Sequence, residues 1–213
     1  MQEKSARAPR SNRERTEATR QALLDAARAL FVERGYGETS TPDICAATGT
    51  TRGALYHHFV DKRDLFRHVL QREAQQVAAD IETAAPSALP PEQALVAGAE
   101  AYLRAMSVPG RTRLLLIEGP AALGHVETDA IDRRHAARSL RDGLAAALDP
   151  AQVPIDALAA LLSAAFDRAA LEIDAGADPA QARAAMLWLI GRTFAQQMPA
   201  RDSKPLGKGS SRG

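Results

Sequence analysis

Residues 41–59 constrain this chain more than any other stretch: Thr-Pro-Asp-Ile-Cys-Ala-Ala-Thr-Gly-Thr-Thr-Arg-Gly-Ala-Leu-Tyr-His-His-Phe. They read as two short helices joined by a tight turn. Thr41 is a hydroxyl N-cap, and Pro42 takes the first helical position, where a missing N–H costs nothing. Ile44, Ala46 and Ala47 supply an inward face of roughly two turns. Gly49 accepts a positive φ and ends that helix abruptly. Thr51 is a second N-cap and opens a helix that runs to about Phe59. On that helix Leu55 and Phe59 face inward, while Arg52, Gly53, Tyr56 and His57 point the other way.

The second helix is thus small, basic and polar-aromatic outside, and supported from behind. A DNA major groove accepts such a helix. Thr41, Ile44, Ala46, Gly49, Arg52-Gly53-Ala54-Leu55-Tyr56-His57-His58-Phe59 and Lys62 resemble the helix-turn-helix of the TetR family of bacterial transcriptional regulators. The resemblance covers about residues 18–66. Further on, Leu115-Leu116-Ile117-Glu118-Gly119-Pro120-Ala121-Ala122-Leu123-Gly124 is similar to a segment in the effector domains of some members. Two residues depart from the family pattern. Thr50 stands where an apolar residue, often valine, packs under the turn. Pro42 stands where some members carry a polar DNA contact. The resemblance implies Arg52, Gly53, Tyr56 and His57 at base edges. It also implies Thr39, Thr41, Thr51, His58 and Lys62 at phosphates, the threonines beside a helix N-terminus whose free N–H groups suit an anion.

Composition agrees with helices throughout. The chain is 46% hydrophobic but only 4% aromatic, its apolar mass is Ala and Leu, and β-branched residues are sparse, so an all-α fold is expected. The 27 basic and 26 acidic side chains leave a net charge of +1, so overall basicity does not announce a nucleic-acid partner. The charge is uneven, however: Lys4, Arg7, Arg10, Arg13, Arg15 and Arg20 face only Glu3, Glu14 and Glu17 at the N-terminal end. Residues 1–14 are expected to be a disordered basic arm, either idle or reaching DNA phosphates and the minor groove. A lone Cys45 excludes an intrachain disulfide and a cysteine-cluster metal site, and reads as a small buried residue. The longest apolar run, residues 157–166, falls far short of the roughly 20 residues that a bilayer requires. With a charged N-terminus and no leader pattern, a cytoplasmic, membrane-free protein is expected.

The remaining elements follow from periodicity and from Pro and Gly breaks. A first helix spans residues 15–34, with Leu23, Ala27, Leu30 and Phe31 inside and Gly35-Tyr36-Gly37 stopping it; Tyr36 is expected to pack within the head. A long helix, capped by Asp61, spans residues 62–84, about 30 Å at 1.5 Å per residue. That exceeds what a three-helix head needs, so it should bridge the head, residues 15–66, to a second helical domain, residues 67–200. In that domain helices are expected over residues 92–107, 111–118, 127–148, 154–176 and 179–198. Residues 201–213 read as a flexible tail. Tyr102, Met106, Phe166 and Trp188 lie on apolar stripes and read as core. Tyr102, Met106, His125 and Phe166 are also the candidates to line an effector cavity. The helix over residues 154–176 is apolar nearly all round, so a second subunit is the economical cover for its outer face. Leu158, Leu162, Phe166, Met186, Ile190 and Phe194 are the candidate interface positions.

The expected protein is a homodimeric DNA-binding transcriptional regulator, most simply a repressor released from a near-palindromic operator by a small apolar or amphipathic effector. No metal, cofactor or catalytic residue is assigned. His57 and His58 are adjacent on a helix, so they diverge and cannot chelate one ion together. An all-α enzyme is the rival class, yet the chain carries no Gly-rich phosphate loop, no Gly-x-Ser-x-Gly and no His-Glu-x-x-His. An architectural DNA binder without an effector is the third reading, and it predicts no sequence preference.

Overall fold

A computed structural model describes residues 12–195. Among these residues the fold is all-helical, in the order α1 (Asn12–Glu38), α2 (Thr41–Thr48), α3 (Arg52–His58), α4 (Lys62–Ala84) and α5 (Pro91–Met106). A π-helical segment, Arg113–Glu118, leads into α6 (Gly119–Leu123), α7 (His125–Asp132), α8 (Ala136–Ala147), α9 (Ile155–Asp174) and α10 (Pro179–Ala195). The expected arm lies outside the described residues except for residues 12–14, which form the first turn of α1 rather than a disordered segment. The expected tail, residues 201–213, lies wholly outside them.

Two apolar cores share one helix. Leu23, Leu24 and Phe31 of α1, Ile44 of α2, Leu55 of α3 and Leu65 and Phe66 of α4 close the first. Val77 and Ile81 of α4 then enter the second, with Met106 of α5, Leu144 of α8, Phe166 of α9 and Ile190 of α10. The boundary drawn at residue 66 therefore falls inside a continuous helix. Tyr36 packs in the head, its ring 4.7 Å from Phe66 and 5.9 Å from Phe31. Gly35, at φ +85°, ends the regular part of α1, and a Cβ there would sit 2.9 Å from Glu118 Oε1. Only glycine serves both purposes.

Three polar struts tie the head to the body. Buried Glu73 of α4 accepts from Arg28 Nε of α1 at 2.7 Å and from Arg111 Nε at 2.9 Å. Glu118 accepts the Tyr36 backbone N–H at 2.7 Å. Arg63 reaches the Leu123 carbonyl at 2.9 Å, and both Arg63 and Arg67 pair with Glu127.

Two helix expectations need correction. The helix expected over residues 127–148 is broken into α7 and α8 at Arg133–His135, where no Pro or Gly announces a break. Asp132 turns inward there, where Ser163 of α9 donates to its carboxylate at 3.4 Å. The short helix at residues 111–118 winds as a π-helix, a wider turn that is common beside ligand sites.

Candidate nucleic-acid interface and effector cavity

The head displays α3 by burying its opposite side. Leu55 and Phe59 are completely enclosed, each worth roughly 1.5–3 kcal/mol of apolar burial. Thr51 caps α3, its hydroxyl accepting the Ala54 N–H at 3.2 Å. Gly49, at φ +65°, makes the turn and returns its N–H to the end of α2. The first cap is one residue earlier than expected: Ser40, not Thr41, accepts the Asp43 N–H, and Asp43 reaches back to the Ser40 N–H in a reciprocal capping box. Only Ile44 and Cys45 of α2 are buried; Ala46 and Ala47, expected inward, are exposed. Thr50 finds a polar solution to the apolar position it replaces. Its hydroxyl lies 2.7 Å from that of Thr48, which also bonds the Ile44 and Cys45 carbonyls.

Arg52, Gly53, Tyr56 and His57 all lie exposed on the outer face of α3. The Tyr56 hydroxyl sits 3.3 Å from that of Thr41. Thr41 first, and then Arg52, hold the Tyr56 phenol below its ordinary range. A Cβ at Gly53 would meet nothing nearer than Thr51 Oγ1 at 3.8 Å. Packing inside the head therefore does not require glycine there, although glycine weakens a helix by about 1 kcal/mol relative to alanine. His58 is half-buried against the end of the head. Burial first, then the charges of His57 and Arg20, hold its imidazole below the ordinary value. Arg20 of α1 reaches over the Phe59 ring at 5.4 Å, a basic neighbour of α3 that helix periodicity alone did not single out.

Two of the phosphate candidates have structural duties. Thr39 is buried, and its hydroxyl donates to the Gly35 carbonyl at 2.8 Å, so its side chain is withdrawn from any surface contact. Lys62 Nζ donates to the Tyr36 and Thr39 carbonyls at 2.8 and 2.9 Å and lies 4.2 Å from the Tyr36 ring centre. One ammonium hydrogen remains for another partner.

Two cavities share Tyr102 and Ala136 in their walls. One of about 590 Å³ is lined by Tyr102, Phe166 and Leu140, with Arg134, Arg138 and Asp142 at its margin. The other, about 230 Å³, brings together Tyr102, Met106 and His125 with Asp132 and Asp167. The four effector candidates thus divide between two volumes, and the structure adds the two aspartates. Tyr102 donates to Asp167 Oδ1 at 2.6 Å across 65 residues of sequence, a pairing with no local signal.

Most of the interface candidates face inward within the subunit. Leu162, Phe166, Met186 and Ile190 are buried in their own subunit, and Leu158 and Phe194 are half-buried. Trp188, read as core, is instead 62% exposed, and Leu161 is 72% exposed. The outward face carries Ala157, Ala160, Leu161 and Ala164 on α9 and Ala184, Ala185, Trp188 and Gly191 on α10, all exposed at helical spacing.

Comparison with known proteins accords with this geometry. A family model described as "Bacterial regulatory proteins, tetR family" matches residues 23–69, and one described as "Tetracyclin repressor-like, C-terminal domain" matches residues 92–196. The chain is similar to the HTH-type transcriptional regulator AcrR of Shigella flexneri, 45% identical over 60 residues, 28% of each chain. The chain thus aligns with little more than a quarter of that relative. The HTH-type transcriptional repressor Rv1474c of Mycobacterium tuberculosis is 29% identical over 85% of this chain and 96% of its own. A solved TetR-family regulator from Pectobacterium atrosepticum superposes with TM-score 0.66 at 29% identity, covering 87% of this chain and 96% of its own. A helix-turn-helix head, a helical body joined to it through α4, and likeness along nearly the whole length lead to one conclusion: the chain belongs to the TetR family.

Proposed function

We propose that this protein is a sequence-specific DNA-binding transcriptional regulator that acts as a homodimeric repressor and leaves its operator when a small molecule occupies the body. The observation that carries the reading is α3, with Leu55 buried behind it and Arg52, Gly53, Tyr56 and His57 exposed in front. Gly53 then lets the helix backbone approach the base edges, which accounts for a glycine that the head does not need for packing. Thr41, Thr51 and His58, with the remaining hydrogen of Lys62, hold phosphates. The regulator works in the cytoplasm, and no helix among the described residues is long and apolar enough to cross a membrane.

Release follows from the shared helix. Leu70, Ala74 and Val77 of α4 wall the smaller cavity, while Leu65 and Phe66 of the same helix anchor the head. A ligand that fits one placement of α4 better than another shifts the spacing of the two heads in the dimer. A ligand with equal affinity for both placements shifts nothing.

Recovery of bound genomic DNA, followed by a base-substitution panel, tests the reading. Arg52→Ala should cost about 1–3 kcal/mol on the operator and relax the preference at one base pair per half-site. Lys62→Ala should weaken all sequences alike, reduce the salt slope by about 1, and lower the melting point because the Tyr36 and Thr39 carbonyls lose their donor. If both variants give the same base-substitution profile, Arg52 does not read a base.

His58 adds a pH dependence. Phosphates favour the imidazolium, so binding takes up a proton and tightens as pH falls. Because free His58 titrates below its ordinary value, the gain should run from the raised value of the phosphate-bound imidazole down to that lowered one. His57→Gln with His58→Gln should flatten the profile. An unchanged profile in that variant places the histidines away from phosphate.

A further inference from the structure

Among the described residues, the buried acid Glu73 and the half-buried Glu127 have arginine partners. Glu73 holds Arg28 and Arg111, and Glu127 holds Arg63 and Arg67. Asp132 and Asp167 both face the cavity of about 230 Å³, and among the described residues neither forms an ion pair. Hydroxyl groups serve them instead: Tyr102 donates to Asp167, and Ser163 donates to Asp132 at 3.4 Å. Much of the remaining lining is apolar, including Leu70, Ala74 and Val77 of α4 and Leu115 of the π-helical segment.

We infer that this cavity binds a small apolar cation, an ammonium with a hydrophobic body, whose charge is held between Asp132 and Asp167 over the Tyr102 ring. The inference rests on the effector reading above and names the chemical class of that effector. Its first support is the enclosure of two carboxylates in a volume with an apolar wall: a cation of this shape satisfies both halves, whereas a neutral ligand leaves the acids without a counter-charge and an anion opposes them. An aromatic face adds attraction for an ammonium. The second support is electrostatic. Burial first, and then Asp167, push Asp132 up to about 6, and burial also raises Asp167. The groups facing the pair are Tyr102 from α5, Asp129 and His125 from α7, and apolar side chains from α4. Arginine is absent from that lining; the arginines of the neighbouring 590 Å³ cavity, Arg134 and Arg138, are accompanied there by Glu82 and Asp142. That mixed rim selects no sign of charge, whereas the smaller cavity does.

The test is calorimetric titration of the full chain at a pH of about 8 with phenyltrimethylammonium, with tert-butylbenzene (the same shape with carbon in place of nitrogen) and with 4-tert-butylbenzoate. The ammonium should bind at least about tenfold more tightly than the neutral isostere, and the benzoate should bind weakest. Asp132→Asn with Asp167→Asn should erase that preference while binding of tert-butylbenzene persists, which also shows that the variant is folded. In the wild type the ammonium should lose about tenfold in affinity between a pH of about 8 and about 5, while the neutral compound holds. Equal binding of cation and isostere, a preference that survives the double substitution, tightest binding of the benzoate, or binding of none of the three overturns the inference. Tight binding of the neutral compound or the anion that also releases DNA leaves the effector reading standing and removes only the cation. A bound compound that never changes operator affinity removes the effector reading itself.

Discussion

Glu73→Leu should destabilise the protein by about 3–5 kcal/mol, the usual cost of breaking a buried ion pair from one side. The carboxylate is 5% exposed and joins two arginines from different parts of the fold. Arg111, also 5% exposed, would keep the Ala105 carbonyl at 2.8 Å, but its charge would face a more distant carboxylate, Asp80 at 3.7 Å. For a chain of this size the melting midpoint should fall by roughly 6–20 °C. Glu73→Gln, which keeps the shape and an acceptor but removes the charge, should fall in between. The pH dependence of the wild type gives an independent check. Burial pushes Glu73 up, but the hydrogen bonds and charges of Arg28 and Arg111 outweigh it, and the net shift is downward. The folded carboxyl therefore titrates below the unfolded one. Its contribution is complete above the unfolded value and drains away as pH falls through the folded value. Thermal melts across that acid range should converge for wild type and Glu73→Gln. A Leu variant that melts within a degree or so of wild type would mean that the strut adds no stability.

The second large effect concerns assembly, for which we propose the exposed face of α9 and α10 as the dimer interface. Leu161→Glu with Trp188→Glu should give folded monomers, because both side chains are exposed in the free subunit. A carboxylate buried without a partner in a subunit interface costs several kcal/mol. The monomers should lose operator affinity by about a hundredfold or more, while nonspecific affinity changes little, because only the two-site geometry is gone. Leu162→Glu or Ile190→Glu should behave differently. Those positions are 3% and 1% exposed within one subunit, so charge there should unfold the body rather than separate two bodies. Light scattering at micromolar concentration separates the outcomes. A double variant that stays dimeric, or a monomeric wild type with full operator affinity, refutes the assignment of this face.

The contrast between those two pairs shows where helical periodicity stops informing. An amphipathic pattern reveals which residues of α9 and α10 are apolar, but both helices are apolar on more than one side. Leu161 and Leu162 are neighbours in sequence and differ only in which way the helix is rotated. That rotation is set by α5 and α8, which pack on α9 in the second core. The same holds for Thr39, whose hydroxyl group looks available in the sequence until α1 supplies the carbonyls that claim it. Lys62 is a partial case: its carbonyl partners at Tyr36 and Thr39 lie more than twenty residues upstream.

The sequence by itself determined the all-α fold, the order of the head and body, the turn at Gly49, the caps at Thr51 and Asp61, and the outward set Arg52, Gly53, Tyr56 and His57. All of these depend on interactions within about one or two helical turns, where spacing dictates geometry. Only the tertiary structure decided the break between α7 and α8, the Arg28–Glu73–Arg111 strut, the pairing of Tyr102 with Asp167, and the outer face of α9 and α10. Each of these depends on groups that are distant along the chain or on the rotation of one helix against its neighbours. Local periodicity does not encode such meetings; packing of the second core brings them about.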